Sequence, residues 1–131
     1  PEMALRFLQP ESLRPTASTS QVVVGDGCLV VTSGQVALDR DNNLVGAGDF
    51  EAQAVQVFEN IGHALAAAGA DFGHVIRLGA FLADRSYTDD YRSIRTRYFK
   101  PPYPASTAVI AELVLPEFLI EIEATALIPA S

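Results

Sequence analysis

Hydrophobic and polar residues alternate without a break through Leu119-Ile120-Glu121-Ile122-Glu123-Ala124-Thr125-Ala126-Leu127. Strand side chains repeat every two residues, so Ile120, Ile122, Ala124 and Ala126 share one face and Leu119, Glu121, Glu123 and Thr125 the other. One face is built for burial; the other sets two carboxylates in an apolar stretch. Val75–Leu82 has the same period, with Ile76, Leu78, Ala80 and Leu82 on one side and Val75, Arg77, Gly79 and Phe81 on the other. Ser106–Ala111 reads as a further strand. The β-branched runs Gln21–Val24 and Cys28–Gln35 flank Gly25-Asp26-Gly27, which predicts a hairpin. Elsewhere the period lengthens to that of a helix. Asp49 caps one that carries Val55, Phe58, Ile61 and Leu65 on a stripe beside Ala52, Ala64 and Ala68, with Glu51 in its first turn and Gly69 as its stop. A second helix, from about Thr88 to Phe99, puts Tyr91, Ile94, Arg95 and Tyr98 on one stripe and ends at Lys100-Pro101-Pro102. Pro10–Ser20 reads as an extended arm. Asp39–Asn43 reads as a turn; its likeness to a calcium loop fails at Leu44, where such a loop needs Gly, and at the twelfth position, which is not acidic.

Strands, helix, strand, helix, strands is the order of an α+β two-layer sandwich, here a single domain over 1–131. The expected architecture is one mixed sheet of five to six strands with two helices on one face. The opposite face then has no cover. It would present Leu119, Glu121, Glu123, Thr125, Arg77 and Phe81. The runs Val22-Val23-Val24 and Leu29-Val30-Val31 are apolar on both sides, as in strands covered twice. A face half apolar and half ionic suits a subunit interface better than water. The pattern therefore predicts a homo-oligomer packed through that face, with clefts between subunits.

Composition narrows the chemistry. The chain has 131 residues, enough for a core that needs no staples. Its apolar runs are too short to span a membrane, and no basic region followed by an apolar core marks a secretory leader. Pro1-Glu2 precedes Met3, which reads as a natural start. Cys28 is the single cysteine, so an intrachain disulfide is impossible, a thiolate metal site is not expected, and a reducing cytoplasm is the simplest location. Net charge is −7, which argues against a nucleic-acid partner. The basic cluster of Arg92, Arg95, Arg97 and Lys100 falls at helical spacing and reads as a solvated helix face. No CxxC, HExxH, G-x-S-x-G or glycine-rich phosphate loop occurs. His63 and His74 lack metal-like spacing and read as surface or helix-packing residues, and Cys28 as a small buried hydrophobe at the start of a strand. Neither a metal nor an organic cofactor is expected. Two segments remain. In Thr32-Ser33-Gly34-Gln35 a glycine at a strand end lets a backbone or ligand approach closely, or simply ends the strand. Pro101-Pro102-Tyr103-Pro104-Ala105-Ser106-Thr107 is a rigid approach to a strand, or a plain connector.

Taken in order, these segments resemble the RidA/YjgF family of enamine/imine deaminases, once labelled translation-inhibiting endoribonucleases. The resemblance rests on Val31-Thr32-Ser33-Gly34-Gln35, Gly48-Asp49-Phe50-Glu51-Ala52-Gln53, Glu59-Asn60-Ile61 and Ala66-Ala67-Ala68-Gly69-Ala70. It continues through Val75-Ile76-Arg77, Phe81-Leu82-Ala83-Asp84, Tyr98-Phe99 and Pro104-Ala105 to Ile120-Glu121-Ile122-Glu123-Ala124. It implies a chorismate-mutase-like fold and a homotrimer whose sheets form a central barrel, with small-molecule clefts between subunits. In the deaminase branch an arginine follows the Pro-Ala pair and clamps the substrate carboxylate. Ser106 stands there in this chain, followed by Thr107 and Ala108 where that branch usually has Ser and often Cys. Thr19 takes the place of the branch's tyrosine if Gly25-Asp26-Gly27 carries a one-residue insertion. Glu121 matches the glutamate that positions or activates the attacking water, and Ser33 and Gly34 match the strand end that lines the cleft.

A serine cannot replace a bidentate guanidinium. The expected ligand is therefore neutral or anchored differently, and the expected substrate is an enamine or imine other than a simple 2-imino acid. A carboxyl group desolvated in an apolar cleft is suited to donate a proton or activate a water, and hydrolysis of C=N needs little else. Three alternatives stay open for Glu121 and the cleft. The carboxylate can instead be structural, paired with Arg77 or with a neighbouring subunit. The trimer can be a non-catalytic ligand-binding or chaperone-like protein. The older endoribonuclease label is disfavoured by the charge and by the lack of a histidine pair.

Overall fold

A computed structural model of the chain describes residues 5–130. The reading of Pro1-Glu2-Met3 lies outside them. Six strands and two helices follow in the order β1 (Arg6–Leu8), β2 (Val22–Val24), β3 (Gly27–Val31), α1 (Phe50–Ala67), β4 (Val75–Leu82), α2 (Thr88–Arg95), β5 (Ala105–Ile110) and β6 (Ile120–Pro129). Four strands form the main sheet in the order β3-β6-β4-β5. Only β4 and β5 run parallel, joined over α2; the other pairs are antiparallel. The strictly alternating last strand thus lies inside the sheet, where it needs partners on both edges.

The expected hairpin around Gly25-Asp26-Gly27 does not form. β2 pairs with β1 in a separate two-stranded ladder, and β3 leaves it to pair with β6. Gly27 makes the departure possible: its φ is 154°, and a Cβ there would collide with the Ile128 carbonyl oxygen. Strand β4 departs from simple alternation once. Val75 faces Ala126 and Arg77 faces Thr125, so Ile76 is an extra residue, a β-bulge. The bulge moves Val75 onto the buried side with Leu78, the reverse of the expected assignment of Val75 and Ile76.

The core lies between the sheet and the helices. Leu78, Ala80 and Leu82 of β4 and Ile120, Ile122, Ala124 and Ala126 of β6 meet Ala54, Val57, Phe58, Ile61 and Leu65 of α1. The α1 stripe thus runs through Ala54 and Val57, and Val55 is only partly buried. Asp49 caps α1 by accepting from the Ala52 amide. At its other end the Gly69 and Ala70 amides bond back to Ala66 and Leu65, with Gly69 at φ 77°. Helix α2 ends at Arg95, sooner than predicted, in turns that carry Tyr98 and Phe99 inward. Tyr98 stacks on Phe58 with centroids 4.7 Å apart. The Asp39 carboxylate accepts from the Asp41 and Asn43 amides, and Asn42 takes φ 66°; this is the predicted turn. Cys28 is exposed on edge strand β3 rather than buried. His63 is exposed on α1, and His74 closes a capping box with Asp71 ahead of β4.

Candidate functional site

The helix-free face of the sheet carries Glu121. Directly paired strand residues point to the same side, so Glu121 shares its face with its β4 partner Phe81. Beyond β3 the neighbouring segment holds on at two points. The Thr32 amide donates to Ala124 O (3.0 Å) and the Gln35 amide to Ile122 O (2.7 Å). Ser33 and Gly34 between them face the single residue Glu123, so the chain bulges here. Gly34 is required by a close approach: a Cβ on it would collide with the Glu121 carboxylate, which lies against it. Arg77 does not pair with Glu121. Its guanidinium meets Glu123 at 3.6 Å, and the pair crosses over Gly79, where a Cβ would come within 3.0 Å of both side chains.

A cleft of about 590 Å³ opens on the other side, between α2, the free edge of β5 and the Pro10–Ser20 arm. The arm is held by the Ser20 amide donating to Pro104 O (3.1 Å) and by Gln9 Nε2 donating to Thr16 Oγ1 (2.6 Å). Thr19 from the arm and Ser106, Thr107 and Ala108 from β5 line the cleft. So do Arg14, Arg85, Arg92 and Arg95. Arg95 is 7% exposed, and this corrects the solvated-face reading of the basic cluster. Its Nη2 donates to Ser18 Oγ (2.7 Å) and its Cζ lies 5.3 Å from the Tyr91 ring centroid. Arg92 is paired with Asp89 at 3.8 Å. Arg85 sits by Asp84, whose carboxyl is held below its ordinary value by the Ser86 amide and hydroxyl, with the Arg85 charge a smaller cause.

The predicted residues therefore fall into two groups. Gly34 meets Glu121 at the open face, with Ser33 next to it in the chain. Thr19, Ser106, Thr107 and Ala108 line the α2–β5 cleft. Ser106 pairs with Leu78, which faces the helices, so within one chain Ser106 and Glu121 lie on opposite sides of the sheet. Arg95 was missed as a cleft residue, although its signal was visible as a cation on the apolar stripe of α2. Among the described residues no three His, Cys, Asp or Glu side chains are grouped to hold a metal, and no helix is long and apolar enough to cross a membrane.

Residues 10–128 match the family model described as Endoribonuclease L-PSP. The chain is 33% identical to the human 2-iminobutanoate/2-iminopropanoate deaminase over 108 residues, 82% of this chain and 78% of that protein. It is 32% identical to the 3-aminoacrylate deaminase RutC of Acinetobacter baylyi over 124 residues, 95% of this chain and 98% of that protein. The crystal structure of YyfB, a Yersinia pestis protein of the conserved Rid family, superposes with a TM-score of 0.87 at 32% identity, covering 95% of this chain and 98% of that one. The α+β layering, the two helices on one face of a mixed sheet and these likenesses agree, and the chain belongs to the RidA/YjgF family.

Proposed function

We propose that the protein is a cofactor-independent hydrolase of a small enamine or imine, acting as a cytoplasmic homotrimer with its sites at the subunit seams. The observation that carries this reading is the Glu121 carboxylate. It lies against Gly34 on the uncovered face while the neighbouring arginine, Arg77, is engaged by Glu123. That weakens the structural alternative in which Arg77 neutralises Glu121. Leu29 and Val31 on the same face are 62% and 67% exposed, which supports burial against another copy. A seam at this face would bring Ser33, Gly34 and Glu121 of one subunit to the Thr19–Ser106–Thr107–Ala108 cleft of the next. The deaminase names of the human and Acinetobacter relatives point the same way.

The chemistry asked of the site is small. An enamine is protonated at carbon to give the iminium. Water then adds to the C=N carbon, and the carbinolamine collapses to a carbonyl compound and ammonia. Glu121 is the group that relays these protons. The test is ammonia release above the spontaneous rate from imines generated in situ, by an amine oxidase for imines without a carboxylate and by an amino-acid oxidase for 2-imino acids. Native protein should accelerate release, and Glu121→Gln should lower the acceleration by about 100-fold. Saturable ligand binding without turnover of any imine would favour the non-catalytic trimer instead. RNA cleavage that survives both Glu121→Gln and purification to homogeneity would return the protein to the older endoribonuclease label.

A further inference from the structure

The cleft between α2 and β5 is cationic in a chain of net charge −7. Three arginine–carboxylate ion pairs occur among the described residues, and Arg92 is the only cleft arginine in them. Arg95 is more than nine-tenths buried, yet its recorded side-chain partner is a neutral hydroxyl, Ser18 Oγ. A guanidinium withdrawn from water without a counter-ion is unfavourable unless something supplies the negative charge. A second observation falls in the same place. Among the described residues two buried side-chain oxygens find no hydrogen-bond partner, Tyr91 Oη and Ser106 Oγ, and both residues line this cleft. Native proteins rarely leave such groups unmatched, so the wall of the cleft beside Arg95 holds polar atoms but offers its guanidinium no negative charge.

We infer that Arg95, assisted by Arg14, anchors the oxyanion of a small ligand. The inference rests on the hydrolase reading for the kind of oxyanion, a carboxylate. Planar forked donors suit a carboxylate. The consequence changes the expected specificity. Loss of an arginine at position 106 does not oblige the ligand to be neutral, because the positive charge enters the cleft from α2 and the arm.

The experiment is calorimetric titration of the whole protein with 2-oxobutanoate, butan-2-one and inorganic phosphate, in native protein, Arg95→Met and Arg95→Lys. Native protein should bind 2-oxobutanoate and not the neutral ketone. Arg95→Met should weaken binding roughly tenfold or more, and Arg95→Lys should restore part of it. Circular dichroism and light scattering should be the same for all three proteins. Phosphate binding with the same dependence on Arg95 would uphold the anchor while moving the ligand away from imino acids. Binding that is unchanged in Arg95→Met, or the absence of any anion binding by native protein, would overturn the anchor and leave the hydrolase reading to its own ammonia test. A smaller native mass for Arg95→Met would also overturn it, making Arg95 an interface residue. Should Arg95→Met fail to fold, exposed Arg14→Met carries the test, with an expected weakening of roughly two- to fivefold; unchanged binding there would overturn the proposal.

Discussion

At the scale of single residues, the carboxylate on β6 is held by what is missing beside it. Gly34 has no side chain, and the Glu121 carboxylate occupies the space a Cβ would need. In Gly34→Ala the new methyl meets the far end of a flexible side chain rather than backbone. The fold should therefore yield little, and the carboxylate should swing away. The expected outcome is a thermal midpoint near that of the native protein with imine hydrolysis lowered about tenfold or more, a loss of about 1.4 kcal/mol in transition-state stabilisation. Ammonia-release rates alongside a melting curve separate the two effects. Full activity in Gly34→Ala would show that the position of Glu121 against Gly34 is not the reactive one. Arg77 and Glu123 offer the contrast. Both are about half exposed, so their ion pair stabilises little, though it engages Arg77 with Glu123 rather than with Glu121.

At the scale of elements, one buried side chain ties the first helix to the two loops beside it. Gln53 is fully buried. Its Nε2 donates to Gly46 O (3.1 Å) and Glu117 O (3.0 Å), and its Oε1 accepts from the Leu119 amide (2.9 Å). Gln53→Ala leaves those three backbone groups without their partner and opens a void. The expected cost is about 3 kcal/mol, with a fall in thermal midpoint on the order of 10 °C in calorimetry. A fall of only a degree or two would mean that water replaces the amide at no cost. This is also the scale that separates the legible from the hidden. The period-two pattern of Ile120–Leu127, the Asp49 cap and the Gly69 stop are local signals, and each element formed where its signal lay. Three features depend on partners distant in sequence, and the pattern carried at most a hint of them, the place of Arg95 on the apolar stripe of α2. Arg6–Leu8 becomes a strand only because Val22–Val24 pairs with it. Val75 turns inward only because Ile76 bulges against β6. Arg95 is buried because the arm brings Ser18 to it, seventy-seven positions away. Thr19 joins Ser106, Thr107 and Ala108 at the cleft from a distant part of the chain, while Glu121 and Gly34 meet on the helix-free face, away from Ser106.

At the scale of the whole molecule, the two groups of site residues pose a geometric problem that one chain cannot solve. The sheet separates Glu121 from Ser106, and the face bearing Glu121 also bears Leu29 and Val31, both more than half exposed on edge strand β3. Contact of that face with a second and third copy would cover the valine-rich edge and carry one subunit's glutamate toward another's cleft. Such an interface is apolar at β3 and ionic at Arg77 and Glu123, so a charge placed at β3 should break it without touching the core. Val31→Glu is the variant to use: it puts a carboxylate on the seam at a position that is 67% exposed in the single chain. Native protein at micromolar concentration should scatter as about three times the 14.0 kDa of one chain. Val31→Glu should scatter as one chain with an unchanged circular dichroism spectrum, and it should lose imine hydrolysis together with the assembly. A native protein that already scatters as a single chain would remove the trimer, and with it the only means by which Glu121 can meet the cleft that Arg95 lines.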